Sequence, residues 1–366
     1  MTSFLYDALV NLKEKHVDLT SLTYILPSKR AGTFLKYELA KVLNKTVFAP
    51  EIISIETFTE ELSQLKPLSN TELLFQFYNV YTEITPENER ESYESFSKWG
   101  QILLQDFNEI DRYLIPQEAL FNYLGNIQEI NHWSRNDNQT ELIKNYLKFW
   151  NNLYSYYSKL KDTLIQQGLG YQGLIYREAI ENLESYVQNT NRNHVFLGFN
   201  ALNKAEETII QELLQNQLAE IYWDIDRHFY QKESHEVGHF ARQYTNNWHV
   251  YKNTVKPFTW LTENYSKQKS IQVFGVSKNV GQAKQIGHIL KSLQEANNKL
   301  ESTAVVLADE SLLNPVLNSI PDTVEHLNIT MGFPLQHIPL ASLFEQLFKL
   351  HSKPKEMGHK AYFLRN

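Results

Sequence analysis

The sequence predicts an α/β chain: a parallel-sheet domain split by a large all-helical insertion, then the start of a second α/β domain. Short apolar runs alternate with amphipathic stretches from Leu22 to Ile55. Long helical periodicities with hardly any strand signal fill Ser69 to about Gln188. The alternation returns at His194 and again at Ser270. Strands that alternate with helices of this length pair in parallel, because each crossover must return to the same sheet edge.

In chain order, Phe4, Leu5, Ala8, Leu9 and Leu12 recur at helical spacing and predict an opening amphipathic helix. Thr23 to Leu26 reads as a strand, and Pro27 to Gly32 as a turn entering a helix that runs to about Ala40. A second strand ends at Ser54-Ile55-Glu56-Thr57-Phe58. Ser69-Asn70-Thr71-Glu72 is a helix start of the capping-box type. Further long helices follow over Ser95 to Leu114 and Thr140 to Gly168, the last stopped by Gly168 and Gly170. His194 to Phe199 is a strand, Lys204 to Gln215 a helix, Ala219 to Trp223 a strand, and Glu233 to Asn247 a helix. The aperiodic stretch Tyr251 to Ser266, with Pro257 inside it, marks a boundary. Beyond it, strands at Ser270 to Val276 and Thr303 to Ala308 and helices at Val280 to Ala296 and Leu312 to Ser319 begin the second α/β domain. The domains are therefore 1–68 with 190–250, the insertion 69–189, and 268–366.

Composition narrows the function. The net charge of −7 gives no overall attraction to nucleic acid, so any such contact must come from a local basic site. The absence of cysteine excludes disulfides, thiolate zinc sites and Cys nucleophiles, and fits a reducing, cytoplasmic compartment. No signal-peptide pattern and no membrane-length apolar run is present, since Asp7 and Glu14 interrupt the N-terminal apolar positions. The 21 Tyr, 20 Phe and 6 Trp point chiefly to core packing, with base stacking open to a few.

No Gly is followed by Lys, so no phosphate loop is present to grip a triphosphate. No Asp or Glu has Lys two positions later, which removes the acid pattern of restriction-type nucleases. His235-Glu236-Val237-Gly238-His239 matches HExxH, which on a helix would place His235 and His239 on zinc with Glu236 as general base. Arg242 stands where the extended motif needs Gly, and Glu263 is the nearest further acid. Asp309-Glu310 after a strand, and Asp224 with Asp226 after another, could hold a metal; helix capping is commonplace for the first pair, and turn formation is the stronger reading of the second. Lys29 and Arg30, at a strand-to-helix turn, can meet phosphate through side chains and helix N-terminal amides, or stand as a solvated turn. Gly198 to Leu202 ends another strand and would share the same crevice.

Several segments together carry a resemblance. Leu26-Pro27-Ser28-Lys29-Arg30-Ala31-Gly32, Ala49-Pro50-Glu51-Ile52 and Thr57-Phe58 resemble the strand-contacting segments that follow the phosphate loop in superfamily 1 helicases. With Trp99-Gly100, Asp106 to Asp111, Phe196 to Glu207, Tyr222 to Asp226 and Asn328 to Leu335, the order is similar to the AddB-like proteins of bacterial recombinational repair, of the PD-(D/E)XK nuclease superfamily. The resemblance spans about residues 1–350. It implies a superfamily 1 helicase-like domain without a phosphate loop, and a C-terminal nuclease domain, needing divalent metal such as Mg, that would lie beyond Asn366. The chain would then be a portion of such a subunit, without a cofactor of its own and itself inactive. It would guide single-stranded DNA toward the nuclease and associate with an AddA-like motor helicase. Ser28, Lys29, Arg30, Gly32, Thr57 and Phe58 would contact DNA, with Phe58 stacking on a base. The alternatives are a zinc hydrolase built on His235, Glu236 and His239, and a pure protein-interaction scaffold.

Overall fold

The computed structural model describes residues 2–131, 141–252, 258–296 and 300–352. The chain forms two compact units, Met1–Gln268 and Lys269–Asn366.

The first unit is built on a four-stranded parallel sheet. Its strands are β1 (Leu22–Leu26), β2 (Ile52–Ser54), β5 (Asn193–Phe199) and β6 (Ala219–Trp223), in the order β2-β1-β5-β6. All five residues of β1 are buried, as expected for a central parallel strand covered on both faces. On one face Tyr24, Leu26, Val195, Leu197 and Tyr222 pack against helices α1 (Phe4–Lys15) and α2 (Lys29–Leu43). On the other, Ile25, Phe196, Phe199 and Trp223 pack against α3 (Ile55–Ser63) and α10 (Lys204–Gln215). Leu197 and Phe199 are two apart yet lie in opposite cores, because Gly198 (φ +75°) makes a bulge where β5 slips against β6. Buried His194, on β5, is fixed in one tautomer: its Nδ1–H donates to the Leu218 carbonyl (3.0 Å), while Nε2 accepts from the Tyr186 hydroxyl (2.7 Å).

The chain leaves the sheet through β3 (Lys66–Pro67) and returns through β4 (Leu169–Gly170), which pair in parallel. Between them lie α4 (Asn70–Ile84), α5 (Tyr93–Arg112), α6 (Gln117–Asn131) and α7 (Glu141–Gln166). Helix α4 starts with the expected capping box, Ser69 and Glu72 each satisfying the other's backbone amide. Many of the aromatic side chains pack here. Phe77 sits fully buried among the rings of Phe96, Trp99, Phe107 and Tyr156, with centroids 5.1–6.3 Å away in edge-to-face array. Asp111 on α5 is wholly buried and accepts hydrogen bonds from Tyr171, from Tyr157 and from Nε of Arg177 at 2.6 Å. Burial, then the Asp111 charge, raises both tyrosine pKa values, so these hydroxyls stay donors. Arg177 belongs to α8 (Gln172–Glu181), which contributes Leu174 and Ile175 to this helical core and Ala179 to the core beneath the sheet. Helix α9 (Leu183–Asn189) leads back into β5.

After β6 come α11 (Arg227–Gln231), α12 (His239–Asn247) and α13 (His249–Lys252). The single helix expected over Glu233 to Asn247 is not formed. A one-turn 3-10 segment, Glu236–Gly238, precedes α12, because the Arg242 guanidinium gathers the carbonyls of Phe229, Tyr230, Lys232 and His235 at 2.7–3.2 Å and folds the segment back.

In the second unit, α14 (Asn279–Glu295), α15 (Leu313–Leu317) and α16 (Pro339–Ser352) are helical. The segments Ser270 to Val276 and Thr303 to Ala308, expected as strands, pair with no strand, and no strand forms among the unit's described residues. The unit's buried cluster is small, Ala283, Leu312 and Val316 with Ile286 and Leu307 against them. It offers no second apolar face to cover a parallel sheet, which is buried on both sides wherever it is stable. Among the described residues no helix is long and apolar enough to cross a membrane.

Candidate nucleic-acid interface

Because all four strands of the main sheet run in parallel, the helices that follow them begin along one edge. Strand β1 is flanked by β2, reached through α2, and by β5, reached from the other side after the helical insertion. The order of the sheet therefore reverses between β1 and β5, and in open α/β sheets ligands bind outside the carboxyl ends of strands beside such a switch point.

Next to it, two capped helix starts follow the ends of the paired strands β1 and β2. Ser28 is the N-cap of α2, its Oγ accepting from the Ala31 amide at 3.3 Å. Ser54, register partner of Leu26, is the N-cap of α3, its Oγ accepting from the Thr57 amide at 3.2 Å and lying 3.1 Å from the Thr57 hydroxyl. Exposed amides and the helix dipole make each start attractive to an anion. Lys29 and Arg30 stand exposed in the first turn of α2, and neither side chain has a hydrogen-bond or ion-pair partner among the described residues. Two free cations beside a capped helix start can take up phosphate oxygens without first breaking an internal ion pair.

Two of the expected contact residues have other roles. Gly32 is buried; a Cβ there would lie 3.0 Å from Cγ2 of Ile52, so the glycine lets α2 settle close against β2. Phe58 is 0% exposed, its ring set against Tyr186, His194 and Phe196 at 5.3–6.4 Å. Stacking of Phe58 on a base is thus corrected: Ile55, Phe58 and Leu62, at helical spacing, form the inward stripe of α3. Ser28, Lys29, Arg30 and the half-buried Thr57 remain at the edge.

On the rest of the edge the cations are paired, Lys204 with Glu207 and Arg227 with Glu263, and acids stand beside them. At the end of β5, Asn203 and Glu206 form the capping box of α10. Beyond β6, burial holds the Asp224 carboxyl above its ordinary range. Burial also acts to raise Asp226, but the amides of Tyr265, His228 and Asn264 outweigh it and leave the group below the usual value. Asp226 is a structural hub that caps α11 and ties down Asn264 and Tyr265, which is the turn-forming role. A cavity of about 240 Å³ lies between α3 and α8, but Glu56 and Glu60 line it, and two carboxylates disfavour phosphate.

The HEVGH segment does not make the metal site its spelling suggests. His235 caps the 3-10 turn, its Nδ1 taking the Val237 amide at 3.3 Å, while His239 begins α12. The two histidines do not share one α-helical face, so the spacing loses its meaning. Among the described residues no group of three or more His, Cys, Asp or Glu is placed to hold a metal ion.

The outward side chains of α2 belong to none of the sites expected from the motifs. Gly32, Leu35, Leu39 and Val42 form the buried stripe, and Phe34 and Tyr37 fall outside it, 54% and 67% exposed. A helical wheel of the segment carries that signal, because both aromatics break the inward period. No protein-family model and no curated protein matches this chain.

Proposed function

We propose that the first unit is a helicase-like platform that holds single-stranded DNA at the β1–β2 end of its sheet, as the DNA-handling scaffold of an AddB-like repair exonuclease subunit. In this reading the metal-dependent cleavage belongs to a nuclease domain outside this chain, and an AddA-like motor supplies movement. The observation that supports it most is the pair of free cations, Lys29 and Arg30, at the Ser28-capped start of α2, next to the Ser54-capped start of α3. Backbone phosphates would dock there without sequence preference. Glu206, Asp224 and Asp226 would keep the strand off the far end of the edge.

Fluorescence anisotropy with a labelled oligothymidine across a salt series tests this. For single strands, each neutralised phosphate contributes about −0.7 to the slope of log affinity against log salt. The Lys29→Ala/Arg30→Ala variant is expected to bind more weakly and to flatten the slope by about 1.4. Equal affinity and slope in variant and wild type would refute the proposal.

A second reading, a protein-interaction scaffold, draws on the second unit, whose unpaired segments leave Ile271, Val273 and Val306 76%, 91% and 88% exposed. It predicts partner binding that survives Lys29→Ala/Arg30→Ala.

A further inference from the structure

The outer face of α2 continues directly from the two cations. Arg30, Phe34, Tyr37 and Lys41 follow one another at spacings of four, three and four, which places them in one line along the exposed side of the helix. Neither Phe34 nor Tyr37 packs on another aromatic ring among the described residues, in contrast to the crowded rings of the helical insertion. Large apolar side chains set singly on a surface are ordinary. Two aromatic rings in line with an unpaired arginine are less so, because their faces are open and a charge of defined sign marks one end. The other end is electrically muted: Lys41 is paired with Glu38 at 3.1 Å. The stripe therefore runs from a cationic start, through two bare rings, to a neutralised pair.

We infer that this stripe is a stacking platform for the unpaired bases of a single-stranded nucleic acid whose backbone is anchored at Ser28, Lys29 and Arg30. The inference rests on the phosphate reading of that anchor and adds the group that grips the bases. Along a helix, Phe34 lies about 6 Å beyond Arg30, and Tyr37 about 4.5 Å beyond Phe34, at 1.5 Å per residue. Those steps match the reach between a phosphate and its base, and between neighbouring bases of a partly extended strand. Every base has a π-face, so rings placed this way bind without reading sequence, and a duplex, whose bases are already stacked, gains nothing from them. Charge favours this occupant over a protein, because the free charges on this helix near the rings, Lys29, Arg30 and Lys36, are all positive.

The test uses the full chain with two probes of equal length, an oligothymidine and an abasic deoxyribose-phosphate oligomer. Wild type is expected to prefer the oligothymidine. Phe34→Ala/Tyr37→Ala is expected to lose that preference, with affinity for oligothymidine falling about tenfold or more, while binding to the abasic probe and the salt slope stay as in wild type. Phe34→Trp should keep the affinity, and its indole emission should be quenched by oligothymidine but not by the abasic probe. Both residues are exposed, so circular dichroism melts should coincide with wild type. Unchanged oligothymidine affinity in Phe34→Ala/Tyr37→Ala, alongside a loss in Lys29→Ala/Arg30→Ala, overturns the stacking platform and leaves the anchor standing. Absence of binding to either probe by wild type overturns both. Retained DNA binding with loss of self-association in sedimentation would assign the face to protein contact and overturn the inference.

Discussion

Tyr24-Ile25-Leu26 in the first unit and Val305-Val306-Leu307 in the second are written in the same kind of residue, yet they fare differently. The first run lies between β2 and β5, sandwiched by helices, with all three residues at most 1% exposed. The second has no strand partner, and Val306 is 88% exposed. Apolar, β-branched composition thus proposes a strand without making one. Parallel pairing is realised where neighbours supply hydrogen bonds and two apolar layers cover the faces, which is why β-propensity depends so strongly on context.

The sharpest way to break this comparison is truncation on both sides of it. Phe58→Ala removes a wholly buried ring from the sheet's core and is expected to cost about 3–5 kcal/mol by urea denaturation. Val306→Ala should fall within about 0.5 kcal/mol, as exposed changes do. Similar costs would mean that the second unit's segments are as well packed as β1. A smaller effect isolates backbone from burial. Gly198→Ala places a side chain at φ +75° with only Phe4 at 3.6 Å, so strain rather than collision sets the expected loss of about 1–2 kcal/mol. A neutral result would show that the bulge relaxes. The subtlest test is pH. Burial keeps His194 neutral and its pKa below the ordinary 6.5, so the unfolded chain takes up a proton that the folded chain refuses. The contribution is complete above about pH 6.5 and is lost as pH falls below it. The melting temperature of wild type should therefore decline on acidification more than that of His194→Asn, and parallel profiles would sink the assignment.

Much of the first unit is legible in its residues. Lys204 to Gln215 and Ala219 to Trp223 were expected with the bounds observed, since Asn203 caps the one and a short apolar run defines the other. Ser69 with Glu72 announced α4 for the same local reason. What was not legible depends on contacts between distant residues. The helix over Glu233 to Asn247 yields to the reach of Arg242 toward Phe229, and no periodicity reports a guanidinium collecting carbonyls. The strands of the second unit fail for want of a covering layer that a local window cannot see. At the candidate site, the cap at Ser28 and the cations beside it could be read directly. Phe58 could not be judged by its nearness to that cap in sequence; its place on the Ile55–Leu62 stripe decides its direction.

Helix α8 has a consequence for how the first unit comes apart. It is a shared wall: Leu174 and Ile175 close the helical core, Ala179 closes the core beneath the sheet, and Arg177 is bolted to buried Asp111. Loosening the helical insertion strips the guanidinium of its carboxylate and exposes one side of α8, which then no longer supports the sheet. The chain from β3 to β4 is therefore unsuited to act as a hinged flap that swings while the sheet stays folded. It behaves as a brace, and whatever force reaches those distal helices is delivered to the same framework that sets Ser28 and Ser54 side by side.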